Sequence, residues 1–134
     1  MKNLLIIILT LSATFTYAQQ TVTWKGGTPG KETSWNEAKN WSNNRVPNIF
    51  SDVIILDVST STFSTPIIKS GTIELNSIQI TSNAKLTVGE NAKVIVYSHA
   101  VGLYKENLNI EGTFIVMGEI ENAELKNIVT HSNN

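Results

Sequence analysis

Asn83-Ala84-Lys85-Leu86-Thr87-Val88-Gly89-Glu90 is followed without a break by Asn91-Ala92-Lys93-Val94-Ile95-Val96-Tyr97-Ser98. The two octets share Asn-Ala-Lys and a valine at matched positions. Each reads as a polar turn and then an apolar–x–apolar triplet. In a strand, residues i and i+2 point to the same face. Each triplet therefore sends two large side chains inward and one outward. The same pattern recurs at Val53-Ile54-Ile55, Ile73-Glu74-Leu75, Ile78-Gln79-Ile80, Leu108-Asn109-Ile110 and Phe114-Ile115-Val116. Gly71, Gly89, Gly112 and Gly118, with Asn76, Asn83, Asn91 and Asn107, stand near the turns between triplets. These residue types tolerate the backbone angles of sharp turns. Strands this short suit a coil that stacks on its own previous turn, a β-solenoid or parallel β-helix. An antiparallel sandwich with closely spaced hairpins fits the same triplets and stays open as the alternative.

Working outward, the whole chain has 134 residues, 10 basic and 11 acidic, and no cysteine. That length holds one domain and a leader, with no room for a two-domain enzyme. The absence of cysteine excludes a disulfide scaffold, a thiolate metal site and a thiol nucleophile. A near-neutral balance argues against nucleic acid as a partner. Charged residues make up only 16% of the chain. With Ser, Thr, Asn, Ile and Val plentiful, this is the composition of an extracellular all-β protein.

Residues 1–18 read as a signal peptide. Lys2 supplies the positive start, Leu4 to Leu11 the apolar stretch, and Thr16-Tyr17-Ala18 a small-residue cleavage site. The apolar run falls short of the roughly 20 residues a membrane span needs. The mature chain is therefore expected to be exported, to lack an integral span, and to sit outside the cell, at its surface or in the periplasm. Residues 19–51 are rich in Trp, Asn, Gly, Pro and Lys and read as an N-terminal cap. Residues 52–129 read as the solenoid, with the first strand near Asp52 to Leu56, and residues 130–134 as a polar tail. Within the cap, Asn36 to Asn40 is a one-turn helix candidate with Ser34 as its N-cap.

The cap carries a longer pattern: Trp24-Lys25-Gly26-Gly27, Ser34-Trp35-Asn36, Ala38-Lys39-Asn40-Trp41-Ser42, Val46-Pro47 and Ser51-Asp52-Val53-Ile54-Ile55. Read as W-x-G…W-N-x-A-x-N-W…V-P…D-V-x-I, it resembles the opening module of secreted β-helical surface proteins of the Bacteroidetes phylum, adhesin-like and autotransporter-like repeat proteins among them. Asn107 to Val116 is similar to their later rungs. The resemblance spans most of residues 22–118. It implies a right-handed parallel β-helix, export, a surface or matrix role, and a capping role for Asp52 at the turn before the first strand. Longer members end in a C-terminal sorting domain, for which the stretch after Gly118 is too short.

Few residues offer chemistry. His99 reads as a surface-loop residue after the Val94–Val96 rung, and His131 lies in the tail. Neither has a metal-ligand spacing, and no G-x-S-x-G elbow occurs. Asp52 and Asp57 are five apart and face opposite ways. Glu119 and Glu121 share a face, and with Glu111 and Glu124 they read as a charged edge that discourages stacking. No catalytic residue, metal ligand or cofactor is assigned.

The aromatics carry the binding hypothesis. Indole faces stack on sugar rings, so Trp24, Trp35 and Trp41, with Arg45 nearby, are candidate ligand-binding residues. The competing reading packs all three as the cap. Tyr104 is a further candidate, in the break from Ser98 to Asn107. The expected protein is an exported, non-catalytic, adhesin-like or matrix β-solenoid that binds a glycan or a surface protein. A polysaccharide-active enzyme or accessory module, and a self-assembling structural subunit, are the alternatives.

Overall fold

Each of the apolar–x–apolar triplets lies in a strand, and the strands stack in parallel. The computed structural model describes residues 18–124 and 128–130. Residues 1–17, most of the stretch read as a signal peptide (1–18), and His131 with the rest of the tail to residue 134, lie outside the described residues. The strands are β1 (Gln20–Thr23), β2 (Ser51–Ile55), β3 (Ile67–Ile80), β4 (Leu86–Leu103), β5 (Leu108–Ile110), β6 (Thr113–Val116), β7 (Glu119–Ala123) and β8 (Ile128–Thr130). All pairings between them are parallel. This rules out the antiparallel sandwich. The chain is an all-β parallel solenoid of about three turns with a Trp-rich N-terminal cap.

The pairing of β4 defines three faces. Its start (Leu86–Val88) pairs β5, its middle (Lys93–Val96) pairs β6, and its end (His99–Leu103) pairs β7. The end portion belongs to face A, which stacks β1, β2, the end of β3, the end of β4, and β7. The start belongs to face B and the middle to face C. Partners in the regular coils lie 20 to 22 residues apart, as in Val94 on Phe114 and Leu86 on Leu108. The two octets therefore lie on neighbouring faces of one coil, not on top of each other.

Parallel register turns each inward position into a column. Val22, Val53, Ile78 and Ala100 stack on face A, and Leu75, Val96 and Val116 on face C; all are buried. Each buried Val, Leu or Ile contributes about 1.5–3 kcal/mol relative to exposure.

The reading of Ser98 to Asn107 as a loop is corrected: β4 runs through to Leu103, which is fully buried. Ala100 and Leu103 supply the inward positions that no apolar–x–apolar triplet marks. The corner at Gly102 has φ +78°, and a Cβ there would sit 2.0 Å from the Ile80 carbonyl oxygen of the coil below. Only glycine fits that approach.

The first strand is β1, ahead of Asp52. Between β1 and β2 the chain builds the cap as an irregular first coil. Ser34 bridges in parallel to Ile67 and so extends face B. The helical turn is a 3-10 turn over Ala38–Asn40, capped by Glu37 rather than Ser34. Asn40 is fully buried and organises this coil. Its Nδ2 donates to the carbonyls of Lys31 (2.8 Å) and Ser34 (3.0 Å), and its Oδ1 accepts from the Thr28 N–H (3.0 Å).

Candidate functional site

The three tryptophans do not form a platform. Trp24, Trp35 and Trp41 are 2%, 1% and 0% exposed. They pack edge to face, with centroids 4.9 Å (Trp24–Trp41) and 4.6 Å (Trp35–Trp41) apart. The Trp24 indole N–H donates to the Ser64 carbonyl, and that of Trp41 to the Trp35 carbonyl, each at 2.8 Å. No indole face is left for a sugar ring, because all three cover the end of the apolar column. The binding assignment of these three residues is corrected accordingly.

Arg45 is exposed beside Gln20, Thr21 and Asn43. Tyr104 is half-buried at the turn after β4, in a shallow hollow with Ser59, Asn83 and Lys85. The two belong to separate hollows and do not form one site.

The polar surface with the most internal order is the outer side of face A. The register that stacks Val22 on Val53 also stacks the residues beside them, which point out. One outward column runs Thr21, Asp52, Ser77, His99, Glu119. A second runs Thr23, Ile54, Gln79, Val101, Glu121. Successive members are spaced by the strand separation, about 4.8 Å.

Asp52 ties three levels of this surface together. Its Oδ1 accepts from Gln19 Nε2 (3.2 Å), Asn76 Nδ2 (2.8 Å) and Ser77 Oγ (2.5 Å). It links coils rather than capping a turn.

His99 is not a loop residue. It lies in β4, directly in register with Glu119 and diagonal to Glu121. Its Nε2 is 3.0 Å from Glu121 Oε1, and its Nδ1 is 3.9 Å from Glu119 Oε2. The one sequence signal for this cluster was the i, i+2 spacing of the glutamates. On the neighbouring face C, Tyr97 Oη donates to Glu74 Oε1 at 2.6 Å, and that carboxylate pushes the phenol above its ordinary value.

No protein-family model, curated protein or solved structure matches the chain. Among the described residues, no helix is long and apolar enough to cross a membrane.

Proposed function

We propose that the protein is an exported, non-catalytic β-solenoid of adhesin-like or matrix type, whose outer face A binds a glycan or a surface protein. The observation that carries this reading is the pair of in-register outward columns across five stacked strands. Hydroxyl, carboxamide, carboxylate and imidazole groups there are held at fixed spacing on a rigid sheet. A shallow groove among Asp52, Asn76, Ser77, Gln79 and His99 supplies donors and acceptors to a repeating partner. The leader supports export, and the cap pattern's likeness to secreted β-helical surface proteins supports the surface role.

The purified protein incubated with insoluble polysaccharides tests this. Retention without sugar release, lost in a Ser77→Arg/Gln79→Arg variant that keeps its strand circular dichroism, is the expected outcome. Released reducing sugar would favour the enzyme reading instead. Retention unaltered by the double substitution would remove face A as the surface.

Self-assembly is a second reading, favoured by the charge distribution along the axis. Residues 24–50 carry Lys25, Lys31, Lys39 and Arg45 against Glu32 and Glu37. Residues 104–124 carry Glu106, Glu111, Glu119, Glu121 and Glu124 against Lys105. One end is net basic and the other net acidic, which complements a head-to-tail contact; such a contact is heterologous and leads to open filaments. Sedimentation that grows with protein concentration and collapses in high salt is its signature; a strict monomer at all concentrations sinks it.

A further inference from the structure

We infer that His99, Glu119 and Glu121 form a binding site for a divalent transition-metal ion of the zinc or nickel type, on the outside of face A at its acidic end. The three residues each offer a ligand atom, and these atoms all lie within 4.8 Å of one another. They come from adjacent strands, β4 and β7, whose register sets His99 beside Glu119 and one outward position away from Glu121. A site built on paired strands holds its ligands more closely than one on loops.

The donor set selects the ion. An imidazole nitrogen with two carboxylate oxygens suits zinc and nickel, whereas calcium and magnesium take oxygen ligands alone. In a tetrahedral site with bonds of about 2.1 Å, ligand atoms stand about 3.4 Å apart. One imidazole nitrogen serves one ion. His99 Nε2 stands 3.0 Å from Glu121 Oε1, and one ligand atom from each of the three residues lies within 4.8 Å of the others, so the carboxylates need only a small adjustment to reach that spacing. Both glutamate side chains are more than half exposed and free to rotate the remaining distance. Three protein ligands leave a fourth position for water or for a donor group of a partner.

The charge balance points the same way. Among the described residues, the only basic side chain in ion-pair range of Glu119 or Glu121 is His99 itself. Two carboxylates thus share one imidazole, and a dication in their midst offsets both. Two glutamates on an edge would by themselves be ordinary surface charge; the imidazole held between them changes the chemistry.

The test titrates the purified, metal-stripped protein with zinc, nickel and calcium chlorides by calorimetry. Zinc and nickel should each saturate at one ion per chain and calcium should give no comparable heat. His99→Asn should weaken zinc binding by at least about tenfold, the scale on which even outer partners of a metal ligand register. A Glu119→Gln/Glu121→Gln variant should do the same, and His131→Asn should change nothing. Because protons compete with the metal for the imidazole, affinity should fall on acidification. The absence of saturable zinc or nickel binding would overturn the assignment. So would zinc binding retained by a folded His99→Asn protein, loss of binding in His131→Asn, or calcium binding as tight as zinc. Should His99→Asn fail to fold, the double glutamine variant, changed only at exposed side chains, decides the matter alone.

Discussion

Trp35 and Trp41 touch each other and are equally buried, yet their indole nitrogens differ. Trp41 Nε1 donates to the Trp35 carbonyl, whereas Trp35 Nε1 has no hydrogen-bond partner. Replacing either by Phe removes a similar volume, but only Trp41→Phe strands a buried carbonyl. Trp41→Phe should therefore be less stable than Trp35→Phe by about 1–3 kcal/mol in urea denaturation. Glu32, Glu37 and Asp57 make a second residue-level case. The Lys31 side chain, aided by the Lys39 N–H, holds the Glu37 carboxyl below its ordinary value. Backbone N–H groups at Glu32 and Gly30 do so for Glu32, and the Ser59 hydroxyl and N–H for Asp57. Each favours the folded state above the ordinary carboxylate pKa, about 4. That contribution is lost as pH falls through the lower folded values. Thermal melts should shift down between pH 5 and 3, and Glu37→Gln should make the shift smaller. The tryptophans illustrate what sequence reading leaves open, since stacking on a sugar and covering an apolar column both call for indole. Only burial separates the two.

The elements were legible where side-chain chemistry repeats on a two-residue period, and illegible at the corners. Ala84 and Ala92 are both buried while Lys85 and Lys93 are both exposed, because each octet opens with a corner and then a face. The repeat in the sequence thus records equal demands at two successive corners. It says nothing of how many corners close a coil, so the 20- to 22-residue period stayed hidden. Without that period, no one could bring His99 beside Glu119, although the shared face of Glu119 and Glu121 follows from spacing alone. Corners differ in how tightly they pack. Gly71 has φ +87° and open space around its missing Cβ, whereas Gly102 meets the Ile80 carbonyl. Gly71→Ala should cost about 1–2 kcal/mol, the left-handed backbone term alone. Gly102→Ala adds a backbone clash and should lower the melting temperature markedly further.

At the scale of the molecule, each coil is held by the coils next to it, so stability is a sum of neighbour terms. The end of β3 (between β2 and β4) and the end of β4 (between β3 and β7) have partners on both sides on face A, and the middle of β4 (between β3 and β6) on face C, whereas β1 and β7 lie at the two ends of face A. Amide exchange in the native state should be slowest in the end of β3 and the middle of β4 and fastest in β7. Uniform protection from β1 to β7 would mean that the molecule opens as one unit instead. The tryptophan cap bears on how such opening is seen. All three tryptophans of the chain sit in the first coil, within a few ångströms of one another. Intrinsic fluorescence is therefore a gauge fixed to one end of the molecule. A chain unravelling from the acidic end would lose its ellipticity while its emission colour stayed put; a chain opening from the other end would redden first.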